Sequence, residues 1–161
     1  MATYKTNVMR ILDKAKIAYN SYEYPHEDEA LEGNEVAALM GQVPDKVFKT
    51  LVAKGKSGAY YVYDIPVNCQ LDLKKAAKAV GEKSIEMVAV KDLLKIAGYV
   101  RGSVSPIGMK SRFKTVFNSS VLNFDTVYIS GGKLGYQIEL DPEKLLAFVQ
   151  AETADIVKNN E

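Results

Sequence analysis

The chain has 161 residues, 47% of them hydrophobic and 25% charged, a profile that fits a globular protein long enough for a well-buried core. Twenty-one basic residues against twenty acidic leave a net charge of +1. That balance excludes a protein held on nucleic acid by many phosphate contacts, so any such contact is expected to be local. No apolar run approaches the roughly 20 residues that span a bilayer, and no signal peptide opens the chain. The single cysteine excludes an internal disulfide and agrees with a reducing cytoplasm.

In chain order, Val8, Ile11, Leu12 and Ala15 recur at helical spacing behind Thr6, a favoured N-cap type. Residues 17–24 read as a strand. Residues 27–32 read as an acidic loop in which Asp28, Glu29 and Glu32 form a solvated face. A short helix over 34–40 ends at Gly41. The apolar runs 47–54 and 59–65 flank Gly55-Lys-Ser-Gly58 as a hairpin. An amphipathic helix starting at Asp72 closes at Gly81, an extended piece covers 85–88, and a helix covers 90–97. Residues 115–118 and 125–130 are strands, and Ser130-Gly-Gly-Lys-Leu-Gly135 turns into a strand over 136–140. There Tyr136, Ile138 and Leu140 alternate with Gln137 and Glu139. Asp141-Pro142 caps and starts the last helix. Helices and hairpins interleave irregularly, which predicts one α+β domain over 1–161 with a mixed, largely antiparallel sheet.

Two features stand apart from this scaffold. Gly98-Tyr-Val-Arg-Gly-Ser-Val-Ser-Pro-Ile-Gly108 holds three glycines and a proline in eleven residues. Such a loop permits positive φ and close backbone approach, and it offers N–H groups to an anion or oxyanion. It is also what an ordinary turn looks like. The second feature is Lys49. Alternation places it with Val47, Leu51 and Ala53 on one face of a strand, and Phe48, Thr50 and Val52 on the other. Both faces are apolar, so an ammonium there is costly unless it meets an anion or opens into a wet cleft. A lysine snorkelling from a strand end is the plainer alternative. A lysine and a Gly/Pro loop converging on one cleft would suit a phosphate, an ester carbonyl or both.

The absences narrow the chemistry. His26 is the only histidine, so a multi-histidine metal site is impossible, and one cysteine leaves zinc unsupported. Cys69 reads as a small semi-buried residue. Ser103, Ser105 and Ser130 sit in glycine-rich turns, where serine is commonplace. No phosphate-loop motif and no dinucleotide fingerprint is present, and no cofactor is expected. An enzyme built this way relies on positioning, backbone electrostatics or chemistry carried by its substrate.

Phe48-Lys49-Thr50-Leu51, Gln70-Leu-Asp-Leu-Lys-Lys75, Gly102-Ser-Val-Ser-Pro106-Ile-Gly108 and Ser130-Gly-Gly-Lys133 occur in the order seen in the YbaK branch of the prolyl-tRNA synthetase editing-domain superfamily, which the chain resembles from about Val8 to Val157. The resemblance implies a compact mixed sheet, partly barrel-like, with helices packed around it. It implies a deacylase that clears cysteine from Cys-tRNA(Pro) and Cys-tRNA(Cys). Lys49 matches the family's functional lysine and Gly102 the loop glycine, so these two are the expected catalytic positions. Pro106 and Gly108 match the rest of the loop that shapes the aminoacyl pocket, with Ser103 next to Gly102 and Ile107 between Pro106 and Gly108. Tyr24 matches a tyrosine of the first strand, Thr50 follows the lysine, and Ser130 and Gly131 open the late glycine turn; all are expected substrate contacts. The chain departs from some relatives in carrying Gln137 where they have aspartate, which implies a weaker or different hold on the substrate amino group.

In this branch the cysteinyl thiol is thought to attack its own ester and leave as a thiolactone. The implied partners are aminoacyl-tRNA and prolyl-tRNA synthetase, with neither a membrane nor DNA. Two other readings stay open: a deacylase for another small amino acid such as alanine, and a non-catalytic module that binds tRNA or a nucleotide.

Overall fold

Thr6 opens the first helix as its residue type predicts. Its backbone is extended, and its hydroxyl accepts the Met9 N–H at 3.2 Å ahead of α1 (Asn7–Lys14). A computed structural model of the chain describes residues 4–25 and 32–159; the expected acidic loop, with His26, Asp28 and Glu29, lies outside them apart from Glu32. Strand β1 (Tyr19–Glu23) is followed by α2 (Gly33–Leu39), whose start is tied by a capping box between Glu32 and Glu35. Strands β2 (Phe48–Gly55) and β3 (Tyr60–Pro66) form the predicted hairpin. Asp72 accepts the Lys75 N–H at 3.0 Å to cap α3 (Leu73–Val80). Then come β4 (Ile85–Met87), α4 (Val90–Ala97), β5 (Lys114–Asn118), β6 (Val127–Ser130) and β7 (Tyr136–Leu140). Asp141 accepts the Glu143 N–H at 2.8 Å, with Pro142 starting α5 (Pro142–Val149).

Five strands pair in the order β4-β2-β3-β5-β8, where β8 (Glu152–Ala154) is a short edge strand that hydrophobic periodicity does not reveal. Three residues, none of them buried, carry too little pattern to predict a strand. In this sheet β5 runs parallel to β3 and β8 parallel to β5, and the other pairings are antiparallel. A second sheet, β1-β7-β6, is antiparallel throughout. A parallel bridge between Val47 and Tyr128 joins the two sheets. The result is the α+β fold expected, with a mixed and mainly antiparallel sheet system that does not close into a barrel.

Two apolar layers hold the sheets. One gathers Val8 and Leu12 of α1, Phe48, Tyr99, Ile107, Phe117, Ile129, Ile138 and Leu145, and it fills the space between the sheets. The other packs Ala76 and Ala77 of α3 on Ala53, Tyr63 and Ile65. Lys49 pairs with Ile65 across the hairpin and so shares the α3 side, whereas Thr50 pairs with Asp64 and shares the inter-sheet side. Alternation along β2 is as the sequence predicts.

Candidate functional site

Strand β4 runs beside β2 only from Ala53 to Gly55, with one further hydrogen bond from the Val88 N–H to the Val52 carbonyl at 3.0 Å. Among the described residues the Phe48–Leu51 half of that edge therefore lacks a strand neighbour, although β2 lies inside its sheet. A cavity of about 300 Å³ opens there. Because it wraps around a strand edge, side chains from both faces of β2 reach it, and Lys49 and Thr50 line it together. Tyr24, Gly102, Ser130 and Gln137 complete the set of expected site residues that meet in this cavity.

Lys49 is half-buried and makes no ion pair among the described residues. Arg101 also lines the mouth, 3.0 Å from Glu32. Glu32 lines the cavity too and offsets Arg101, so Lys49 is the cation left to favour an anionic ligand there. Tyr24 is buried, and its phenol is pushed up by that burial, so it stays a neutral hydrogen-bonding group.

The glycine loop divides. Gly102, with φ +87, and Val104 line the cavity. A residue with a Cβ would be strained at Gly102. Pro106, Ile107 and Gly108 turn away and line a separate depression with Arg112 and Phe113. Gly108, with φ +77, lies so close to Tyr99 that an added Cβ would sit 2.8 Å from its hydroxyl. That hydroxyl donates to the Ile107 carbonyl, which pins this half of the loop to the core. Ser103 is buried and does not line the cavity; its hydroxyl donates to the Val100 carbonyl at 2.8 Å. Ser130 connects loop and turn, donating to the Ser103 carbonyl at 2.9 Å and accepting the Gly132 N–H at 3.0 Å. Gly131 sits behind it, its N–H on the Tyr136 carbonyl at 2.9 Å.

Gln137 is only 3% exposed, yet it borders the cavity. Its amide forms a reciprocal pair with Gln42: Gln42 Nε2 donates to Gln137 Oε1 at 2.6 Å, and Gln137 Nε2 donates to Gln42 Oε1 at 2.9 Å. Cys69 lies outside the cavity, and burial, then Asp45, pushes its thiol up, so no protein thiolate is offered there. Among the described residues no cluster of His, Cys, Asp or Glu could hold a metal ion.

Sequence reasoning misses several wall residues. Val36 of α2, Met87 of β4, Val88 just after it, and Val90 and Leu93 of α4 supply an apolar wall. Nothing local in these residues marks them, because only the fold brings α2 and α4 to the same opening. Arg101 had a signal, since it immediately precedes Gly102.

Residues 27–148 match the model of the aminoacyl-tRNA editing domain. Over 152 residues the chain is 41% identical to EbsC of Enterococcus faecalis, provisionally named a Cys-tRNA(Pro)/Cys-tRNA(Cys) deacylase, covering 94% of this chain and 93% of that one. A proline–tRNA ligase of Thermosipho melanesiensis is 28% identical over 78% of this chain but only 22% of its own length. A solved structure described provisionally as a trans-editing enzyme for prolyl-tRNA synthetase has the same fold, with a TM-score of 0.81 at 22% identity over 98% of this chain and all of that one. The chain belongs to the aminoacyl-tRNA editing-domain family, and with that membership comes its class of enzyme, an aminoacyl-tRNA deacylase.

Proposed function

We propose that this chain clears cysteine from Cys-tRNA(Pro), and from Cys-tRNA(Cys), as a trans-editing enzyme of the cytoplasm. The observation that carries the proposal is the convergence of Lys49, Gly102 and Tyr24 on one cavity, in a chain 41% identical to EbsC. A cavity of about 300 Å³ suits the acylated end of a tRNA rather than its body. The near-neutral charge agrees with a tRNA delivered with help, and prolyl-tRNA synthetase is the proposed helper.

The chemistry is supplied by the substrate. The thiol of the esterified cysteine attacks its own carbonyl carbon and forms a carbon–sulfur bond. The tetrahedral intermediate carries an oxyanion, and its collapse breaks the bond to the 3′ oxygen of the terminal adenosine. That oxygen takes the proton the thiol gave up, and the products are a thiolactone and free tRNA. Holding such an intramolecular nucleophile in attack geometry supplies roughly 7–11 kcal/mol. Lys49 anchors or polarises the ester end. The Ser103 N–H is taken by the Val100 carbonyl and the Ile107 N–H by the Ser105 hydroxyl, so stabilising the oxyanion falls to the loop at Gly102 and Val104. One such donor is typically worth about 2.7–4 kcal/mol. Thr50, Ser130 and Gln137 shape and line the pocket, while Ser103, Pro106, Ile107, Gly108 and Gly131 support it from behind. No protein nucleophile, metal or cofactor enters any step.

Replacing Lys49 by Ala tests this reading. Deacylation of Cys-tRNA(Pro) should fall at least about a hundredfold, the scale of losing a charged contact to the reacting ester. An unchanged rate would remove Lys49 from the mechanism.

A further inference from the structure

Asp64 is fully buried in β3, directly across from Thr50. Its Oδ1 lies 2.5 Å from Thr50 Oγ1, and its Oδ2 has no hydrogen-bond partner among the described residues. Its neighbour on the other side is Phe117 of β5, which pairs with it in register. No cation faces it. Phe48 and Val52 share its side of β2, and among the described residues only burial and the Thr50 hydroxyl act on its carboxyl. The layer also carries tyrosines, and the one at the glycine loop, Tyr99, has its hydroxyl on the Ile107 carbonyl. Lys49 and Lys54 differ in reach from Thr50: Lys49 lies on the opposite face of β2, and Lys54 is exposed at the far end. Thr50 itself lines the cavity.

We propose that Asp64 is a positioning residue that acts through Thr50, donating its carboxyl proton to Thr50 Oγ1 so that the threonine O–H is free to donate to the aminoacyl-adenosine end in the cavity; this rests on the deacylase reading above. Burial without a counter-ion pushes the carboxyl up to about 8, so it is protonated at neutral pH. A neutral carboxyl has one proton to place. On Oδ2 it would be a buried donor with no acceptor. On Oδ1 it is used, and only an acceptor is left over, which costs less. Once Asp64 ionises the polarity inverts: Thr50 must donate to the carboxylate, and the cavity loses its donor.

Two measurements test this. In the ligand-free protein, the ¹³C signal of the Asp64 carboxyl should titrate above pH 7, and the Thr50 methyl should move with the same midpoint. A carboxyl already ionised at pH 7, or a Thr50 signal that ignores it, overturns the proposal. The second measurement is the affinity of 3′-(L-cysteinylamido)-3′-deoxyadenosine, whose amide is not cleaved. From pH 7 to pH 9.5 its dissociation constant should rise roughly tenfold more in the wild type than in Asp64→Asn, a factor typical of one lost hydrogen bond. The asparagine amide donates at every pH, and the ligand's own amine and thiol titrate alike in both proteins. Thr50→Val should lack the extra rise, and Thr50→Ser should restore it. Equal pH dependence in wild type and Asp64→Asn overturns the proposal. Failure of every variant, wild type included, to bind the analogue speaks against the deacylase reading, while the carboxyl titration still decides the assignment of Asp64.

Discussion

The hydroxyl of Ser130 bonds the carbonyl of Ser103 at 2.9 Å and thereby ties the late glycine turn to the loop that carries Gly102. The same oxygen accepts the Gly132 N–H at 3.0 Å, so one small side chain sets the spacing between two backbone segments at the cavity. Its place is structural as much as chemical. A loop meant to stabilise an oxyanion is useful only when its N–H groups are already in place before the reaction.

Ser130→Ala should therefore weaken catalysis more than folding. The two hydrogen bonds lost are worth about 0.5–1.5 kcal/mol each to stability. The rate constant for deacylation at saturating substrate should drop about tenfold or more as the loop loosens, since small misplacements near reacting atoms are costly. Stopped-time deacylation assays beside urea unfolding make the comparison. A variant destabilised as expected but fully active would show that the tie serves folding alone.

The Gln42–Gln137 pair makes a second expectation. Each amide satisfies the other, and Gln137 is nearly inaccessible. Gln42→Ala strands the Gln137 amide and should cost about 1–3 kcal/mol. Replacing both residues by Leu should cost less than Gln42→Ala alone, because no buried polar group is then left unpaired. Urea midpoints of the single and double variants check this. A double variant less stable than the single would mean that the pair contributes more than mutual satisfaction.

Asp64 makes stability depend on pH in a direction opposite to most carboxylates. Its folded-state value is raised to about 8. In the unfolded chain an aspartate releases its proton near the ordinary ~3.9. Between those values the folded protein holds a proton the unfolded chain has lost, so stability falls as pH rises and levels off once the folded group also ionises. The slope reaches at most about 1.4 kcal/mol per pH unit. Asp64→Asn should flatten this decline between pH 5 and pH 8. Parallel curves for the two proteins would place the carboxyl at an ordinary value.

Much of this was legible before any coordinates. Thr6, Asp72 and Asp141 cap helices because their side chains reach backbone N–H groups two or three residues on, a relation that needs only local sequence. Lys49 was legible as a charge misplaced in an apolar strand. Asp64 carries the same kind of signal within residues 60–66, but a single carboxylate in a strand also fits an exposed position. What could not be read was which half of the glycine loop faces the site. Gly102 and Gly108 are equally glycine, and only the tether from Tyr99 to Ile107 turns the second half away. The open edge of β2 was equally hidden, since it depends on how short β4 is.

The most direct test of the mechanism is to deacylate Cys-, Ser- and Ala-tRNA(Pro) with the same enzyme preparation, capturing the released product in an acid quench and identifying it by mass spectrometry. Self-attack by the substrate predicts that Cys-tRNA(Pro) is cleared and yields trapped thiolactone, while Ser- and Ala-tRNA(Pro) are cleared at least about a hundredfold more slowly. Clearance of Ala-tRNA(Pro) at the rate of Cys-tRNA(Pro), with no thiolactone captured, would contradict it and point to a water or ribose hydroxyl as the nucleophile.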